Sequence, residues 1–403
     1  MKAKIRQSLL AAALALAALP TAVQAADSPF TQTVFFGDSL TDGGYFRPVL
    51  IQMVGPNGAI IGQFTNNPGY VWSQYLADYY GSNAAPAWTG NATATPTQAA
   101  GNNWAVGGAR VGTSTVGGLG YTPSLTAQYQ AYLASGHHVD PGALYTVWGG
   151  ANDMFAVQAN PAQAQAIIGA AVTAQVGLVG ALTQAGAQYI LVPTLPDLGL
   201  TPDARAGGAV GMAQGTALAN TYNTALFGGL ASANLRVIPM DTFHFLQEVV
   251  ANPSAYGISN ATGKACVTQP APAGGSSLFC SPASMVPGGA SYLFADGVHP
   301  TTAAHKALAD FAVSVIEGKA RVLCRNAAQA PGAEAEPRTH YGVCAMRQGR
   351  PVTTGSPKRD AQAEILASLM PDLRPHPKHL EASQPDSGRG HSPPFLPRTP
   401  MPP

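Results

Sequence analysis

The chain has 403 residues, of which 46% are hydrophobic and 10% charged, with a net charge of +1. That length carries one large domain or two average ones, and the apolar content supplies a core and excludes a fully disordered chain. Four cysteines are too few for a disulfide-built scaffold, and the small net charge gives no global field toward nucleic acid.

Three regions differ in charge. Residues 1–25 hold Lys2, Lys4 and Arg6 and no acid, residues 319–403 hold 12 basic and 7 acidic residues, and residues 26–318 hold 6 basic and 13 acidic. A body with a net charge of −7 repels phosphate backbones, so no nucleic-acid partner is expected. At the N-terminus a basic start precedes an apolar run over 9–19, then Pro20 and the small-residue site Val23-Gln24-Ala25. This is the pattern of a secretory signal cleaved after Ala25 or Ala26, and the run is too short to span a bilayer comfortably.

The body then alternates short apolar runs with longer helical patterns. Thr33-Val34-Phe35-Phe36 predicts a strand ending at Gly37, and apolar residues at 71, 72, 75, 76 and 79 predict a helix over 70–80. Asn103 to Val106 is a weaker strand, followed by Gly107-Gly108. Leu144-Tyr145-Thr146-Val147-Trp148 predicts a strand ending at Gly149-Gly150, and 161–185 a long Ala-rich helix. Its glutamines and lack of bulk argue against a transmembrane helix. Strands follow at Tyr189-Ile190-Leu191-Val192 and Leu235-Arg236-Val237-Ile238, with a helix over 211–230 between them and a last helix over 301–316. These nearly continuous apolar strands suit an α/β domain whose parallel sheet is covered on both faces. From 319 the chain is rich in Pro, Arg and Gln, with 14 of the 34 prolines, and is expected to be disordered. Cys266 and Cys280 flank a Gly/Pro/Ser-rich loop and suit a disulfide in an oxidising compartment; pairing of Cys324 with Cys344 is less supported, and no Cys/His cluster has zinc-finger spacing.

Ligands in such sheets bind beyond the carboxyl ends of the strands. After the first strand comes Gly37-Asp38-Ser39-Leu40-Thr41-Asp42, which holds a serine hydroxyl at the rim with backbone N–H groups nearby. Gly107-Gly108 lets a backbone N–H approach a ligand closely. Gly150-Ala151-Asn152-Asp153 offers an amide donor for an oxyanion. Asp296-Gly297-Val298-His299-Pro300 puts a carboxylate three residues before an imidazole, close enough to fix its tautomer. Taken singly, these blocks also suit a surface turn, a tight turn, a helix cap and an Asx-turn. Together, in this order and each at a predicted strand end or helix start, they form a strong signal for a catalytic site.

With these blocks the chain resembles the GDSL, or SGNH, family of serine esterases and lipases over roughly residues 31–318. Further similarity lies in T-N-N-P-G-Y-V-W-S-Q-Y-L-A at 65–77 and V-P-T-L-P-D-L-G-L-T-P at 192–202. Within the family it most resembles the passenger domains of autotransporter esterases and related secreted lipases and acyltransferases. The resemblance implies a three-layer α/β/α sandwich with a flavodoxin-like parallel sheet. It places the nucleophile on Ser39, the catalytic acid and base on Asp296 and His299, and the oxyanion donors on Ser39, Gly108 and Asn152. Gly107 takes the glycine's place if the register is off by one.

The expected function is a secreted or periplasmic carboxylester hydrolase, cell-surface if derived from an autotransporter. It would act on a small-molecule or lipid ester and require no metal or organic cofactor. An acyltransferase or phospholipase on the same residues, and a non-catalytic surface-binding protein, are the alternatives. The expected division is a signal over 1–25, the hydrolase domain over 26–318 and an appended tail over 319–403. Many relatives carry Asn where this chain has Gly43-Gly44-Tyr45, and autotransporters continue into a barrel. The tail shows no ten-residue alternating strands, so the mature chain is expected to lack a membrane anchor. Asp38 and Asp153 are expected to be supporting hydrogen-bond groups, His137, His138 and His244 surface or packing residues, and His305 solvated. Trp72, Trp88, Trp104 and Trp148 suit core packing or the lining of a site. Oligomeric state has no signature in the chain.

Overall fold

The computed structural model describes residues 28–91, 95–267 and 275–318. The expected signal, the tail from 319 and Cys324 and Cys344 lie outside the described residues. Four strands, β1 (Thr33–Gly37), β2 (Leu144–Trp148), β3 (Tyr189–Pro193) and β4 (Ile238–Met240), form a parallel sheet in that spatial order. Thr33 pairs with Leu144, Leu144 with Tyr189 and Leu191 with Ile238. Every residue of β1 and β2 is buried, as their unbroken apolar runs require.

The segment 102–106 lies along the free edge of β1. Trp104 N–H donates to Phe35 O (2.9 Å) and Val106 N–H to Gly37 O (3.1 Å). The strand expected here is reduced to an isolated bridge between Phe35 and Asn103. The next bridge lacks one of its bonds because Gly37 N–H donates to Gln128 Oε1 (2.9 Å) and Trp104 O accepts from Trp88 Nε1 (3.0 Å). With this segment counted, the sheet has the doubly wound order in which the chain reverses direction beside β1. Its switch point falls between the carboxyl ends of β1 and β2.

The helices are α1 (Arg47–Val54), α2 (Trp72–Tyr79), α3 (Leu125–Ala134), α4 (Ala151–Ala159), α5 (Ala164–Gln184), α6 (Pro202–Ala206), α7 (Gly208–Ser232), α8 (Thr242–Ala251) and α9 (Thr302–Ile316). Strand periodicity sorts the side chains between two cores. Val34, Phe36, Tyr145, Val147, Ile190 and Val192 pack with α3, α5 and α7 on one face. Phe35, Leu144, Trp148, Leu191 and Met240 pack with α2, α8 and α9 on the other. The result is a three-layer α/β/α sandwich. Two further strands, β5 (Asn260–Lys264) and β6 (Tyr292–Phe294), form a small parallel pair that leads into the Asp296 turn.

Within Pro161–Gln184 an 18-residue window reaches a mean hydropathy of 1.8, and the stretch is long and apolar enough to cross a membrane by composition. Its core, α5, packs against the sheet through Ile168, Leu178, Val179 and Leu182. Gln175 at its centre is buried, donating to Val147 O (3.2 Å) and accepting from Tyr222 OH (2.5 Å). β4 begins at Ile238, three residues later than expected, and runs through Pro239. Leu235 N–H still bonds Leu230 O at the end of α7, and a proline is tolerated because β4 is an edge strand.

Candidate active site

The turn after β1 is built by Asp38 and Asp42. Asp38 O accepts from the N–H groups of Thr41 and Asp42 (both 3.0 Å), and its Oδ1 accepts from Leu40 N–H (3.0 Å). Ser39 stands on this turn, 7% exposed. Asp42 reaches further. Its Oδ1 accepts from Gly44 and Tyr45 N–H (2.7 Å each) and its Oδ2 from Gly107 N–H (2.8 Å). One buried carboxylate thereby joins the serine turn to the glycine turn 65 residues later. Burial pushes Asp38 up to about 7, against the Leu40 N–H and the nearby His299 charge. Burial likewise pushes Asp42 up to about 6, against its three N–H donors.

Because Gly107 N–H is held by Asp42, Gly108 is the glycine whose N–H has no acceptor among the described residues. Gly108 has φ +79°, a conformation that favours glycine. On the other side, β2 runs through Gly149-Gly150 into α4. Gly150 has φ +112°, and a Cβ there would stand 2.5 Å from the Tyr222 ring. This entry sets Asn152 in the first turn of α4 rather than at its cap. Asn152 Nδ2 donates to Ala109 O (3.0 Å), leaving its second N–H for another acceptor. Asp153, beside it, accepts from Arg110 Nε (2.9 Å) and Val111 N–H (3.0 Å), so α4 grips the same turn.

The third part follows β6. Asp296, 2% exposed, is surrounded by four donors. Its Oδ1 accepts from Val298 N–H (2.9 Å) and His299 N–H (2.7 Å), and its Oδ2 from Ser277 N–H (2.6 Å) and His299 Nδ1 (2.8 Å). Burial alone would raise this carboxyl, but the His299 charge and the hydrogen bonds hold it well below the usual range. Burial works the other way on His299, and Asp296, with smaller help from Asp38 and Asp203, raises it above the ordinary value. An ionised Asp296 only accepts, so Nδ1 carries the ring proton and Nε2 presents a lone pair. That Nε2 lies 2.8 Å from Ser39 Oγ. The Phe64 ring packs on the imidazole at 4.9 Å.

Ser39, Asp296 and His299 are thus in one hydrogen-bonded chain, with Asn152 and Gly108 on adjoining turns. Cys266 and Cys280 form a disulfide (Cα–Cα 5.8 Å). It closes the loop that delivers Ser277 to Asp296, while Cys266 N–H bonds Ala295 O (2.8 Å). Asp42, Ser277 and Phe64 were not among the sequence candidates. Asp42 stands in the serine block itself, but its bond to Gly107 needs the fold. Ser277 contributes a backbone N–H that no sequence pattern marks.

His305 is a correction. It is fully buried rather than solvated, with Nδ1 accepting from Trp72 N–H (3.2 Å). Burial pushes it down to about 3, so it is neutral. His305, Leu308, Ala309 and Ala312 recur at helical spacing on the inner face of α9. Asp241 and His244 repeat the Asp-x-x-His contact (2.7 Å) at the start of α8, where Asp241 caps the helix and His244 is partly exposed. All four tryptophans are buried. Among the described residues no group of three or more His, Cys, Asp or Glu side chains is gathered for a metal.

Ser39, Asn152 and His299 border a cleft that continues between α8 and α9. Phe64, Gly107 and Gly108 border a second groove beside the antiparallel ribbon formed by Thr115–Gly117 and Gly120–Thr122.

The GDSL-like Lipase/Acylhydrolase family model matches residues 33–312. Esterase EstA of Pseudomonas aeruginosa is 35% identical over 349 residues, covering 77% of this chain and 51% of that protein. Lipase 1 of Photorhabdus luminescens is 28% identical over 353 residues, covering 72% of this chain and 50% of that protein. The chain therefore spans about half the length of the curated relatives it matches. Among solved structures, an acetyl xylan esterase, AlAXEase, is 12% identical with a TM-score of 0.33, covering 71% of this chain and 99% of that one. The match of the family model across the body, with a relative of 35% identity, identifies the chain as a member of the GDSL-like lipase/acylhydrolase family, a family of carboxylic ester hydrolases.

Proposed function

We propose that the chain is an exported serine carboxylester hydrolase working through an acyl-enzyme. Ser39 Oγ attacks the ester carbonyl while His299 Nε2 takes its proton, and Asp296 stabilises the imidazolium. The N–H groups of Ser39 and Gly108 and the Asn152 amide hold the oxyanion. Collapse of this intermediate expels the alcohol, which receives the proton from His299. Water then attacks the acyl-Ser39 ester with His299 as base, releasing the carboxylic acid and restoring the serine. Asp42 is a positioning residue that holds the serine and glycine turns together. The carrying observation is the continuous relay from Ser39 Oγ through His299 to Asp296, with both side-chain contacts at 2.8 Å. The esterase and lipase names of the relatives support the substrate class. Purified Ser39→Ala protein is expected to have lost essentially all p-nitrophenyl ester hydrolysis while keeping the wild-type melting temperature. Retained turnover in that variant would contradict the assignment.

Export is part of the same proposal. The basic-apolar-small pattern of residues 1–25 supports a leader, and the Cys266–Cys280 disulfide suits an oxidising compartment. The division at 26 and 319 is proposed with it, the catalytic unit being 26–318. N-terminal sequencing of the exported protein is expected to begin at Ala26 or Asp27.

A further inference from the structure

We infer that Asn67 is a positioning residue for the catalytic acid: its carboxamide holds Ser277, and Ser277 in turn holds Asp296 against His299. The inference rests on the ester-hydrolysis reading above and names a residue that serves it without touching substrate.

The need for such a residue lies in how Asp296 is held. Three of its donors, Val298 N–H, His299 N–H and His299 Nδ1, belong to its own turn. Among the described residues, only Ser277 reaches it from elsewhere in the chain. The Ser277 N–H shares Oδ2 with His299 Nδ1, at 2.6 and 2.8 Å. The direction of that oxygen, and with it the tautomer of the imidazole, therefore depends on where Ser277 stands. Ser277 is fully buried but does not anchor itself, because its hydroxyl has no hydrogen-bond partner among the described residues. Its carbonyl is what is held. That oxygen accepts from Cys280 N–H (2.9 Å) within its own turn and from Asn67 Nδ2 (3.0 Å), 210 residues away.

A carboxamide suits this task. Asn67 is buried, and its Oδ1 accepts from Gln63 N–H (3.0 Å). Its Nδ2 faces the carbonyl oxygens of Gln63 (2.8 Å), Thr65 (3.1 Å) and Ser277 (3.0 Å). The contacts to 63 and 65 fix the side chain on its own loop, and the third extends that fixed frame to Ser277. Three acceptors converging on one nitrogen call for a donor with two hydrogens, and an ionised carboxylate has none. The same loop is tied to the base. Phe64 packs on the His299 ring, and Asn66 Oδ1 accepts from Thr302 N–H (2.6 Å). That N–H opens α9 and would otherwise lack a partner within the helix. Gly62 N–H donates to Leu278 O (3.0 Å), next to Ser277. Residues 62–67 thus contact the acid's support, the base's ring and the chain behind the base. Asn67 lines neither of the two clefts, so its part is orientation rather than substrate binding. If it merely completed its own loop, its loss would lower the melting temperature and leave turnover of the folded protein intact.

The test is a double-mutant cycle on the purified full chain, read as kcat and KM for p-nitrophenyl butyrate well below the melting temperatures. Asn67→Ala is expected to lower kcat by about 10- to 100-fold, the order that a displaced catalytic group costs, with KM within about threefold of wild type. In an Asp296→Asn background, where the imidazole is already misdirected, the same substitution is expected to lower kcat by less than about threefold. Asn67→Asp keeps the shape and the acceptor oxygen and loses the amide hydrogens; it serves, with the same expected results, if Asn67→Ala does not fold. A folded variant with kcat within about twofold of wild type, a loss carried in KM rather than kcat, or an equal loss of kcat in both backgrounds would overturn the positioning role and leave ester hydrolysis standing. Turnover that survives Ser39→Ala would overturn the reading beneath it instead.

Discussion

Asp296→Asn separates an orienting role from a merely structural one. The wild-type carboxylate accepts four N–H bonds, two at each oxygen. An amide has one acceptor oxygen and one donor nitrogen. If its oxygen keeps the Val298 and His299 N–H groups, its nitrogen faces Ser277 N–H and His299 Nδ1. The imidazole must then accept at Nδ1, and its proton moves to Nε2, facing Ser39 Oγ. In that tautomer it cannot take the serine proton. By analogy with other Ser-His-Asp sites the loss is about 10⁴-fold in kcat, or about 5.5 kcal/mol of barrier. Stability falls as well, because a buried Ser277 N–H without an acceptor costs about 1–3 kcal/mol.

The pH dependence has a definite sign. Asp296 is held below its ordinary value, so its contribution is present above about pH 4 and is lost as pH falls through the folded value. His299 is held above its ordinary value, so its contribution is present below about pH 6.5 and is lost as pH rises through the folded value. The melting-temperature gap between wild type and Asp296→Asn is therefore expected to be widest between about pH 4 and 6.5. Steady-state kinetics and melting curves across pH 3–9 measure both effects. A folded Asp296→Asn protein with more than about a tenth of wild-type kcat, or a gap that widens steadily above pH 7, would refute the reasoning.

Four further outcomes are expected. Asn152→Ala should lower kcat by about 10²–10³-fold with little change in KM, measured on the same ester. Asp42→Asn places an amide donor against backbone N–H groups of Gly44 and Tyr45 or of Gly107. It should lower the melting temperature and kcat together, whereas a purely structural carboxylate would leave the kcat of the folded fraction intact. The acid limb of the kcat/KM profile should lie above pH 6.5, because His299 must be neutral to act and Asp296 raises its value; Asp38, whose charge acts on His299, titrates nearby and broadens that limb. Reduction of Cys266–Cys280, or the double serine variant, should cost about 3 kcal/mol for a loop of this length and impair kcat by loosening the Ser277 contact, as read by melting with and without dithiothreitol.

Much of this arrangement was legible because parallel sheets mark their strands with unbroken apolar runs. β1 and β2 stand where Thr33-Val34-Phe35-Phe36 and Leu144 to Trp148 predict them, and the chemistry-bearing blocks follow at their carboxyl ends. The helices with long Ala-rich or strongly periodic stretches, α5, α7 and α9, were legible as well, with boundaries shifted by a few residues. α4 was hidden because the helix cap that Gly150-Ala151-Asn152-Asp153 also suits opens a helix of only nine residues, too short to show a sustained period. The late start of β4 was hidden because Pro239 argues against a central strand, and its edge position is a property of the whole sheet. Roles that depend on contact between distant turns were out of reach. The three-way Asp42 contact and the Ser277 N–H are of this kind. His305 was legible in principle, since its spacing from Leu308, Ala309 and Ala312 puts it on an inward face, but a polar residue at a helix start suggests solvent.

Whether Ser39 is the activated hydroxyl is most directly measured with a fluorophosphonate probe and mass spectrometry of the labelled protein. One adduct per chain on the peptide containing Ser39 is expected, absent in Ser39→Ala and strongly slowed in His299→Ala. Labelling at a different residue, or ester hydrolysis that survives with Ser39 unmodified, would contradict it.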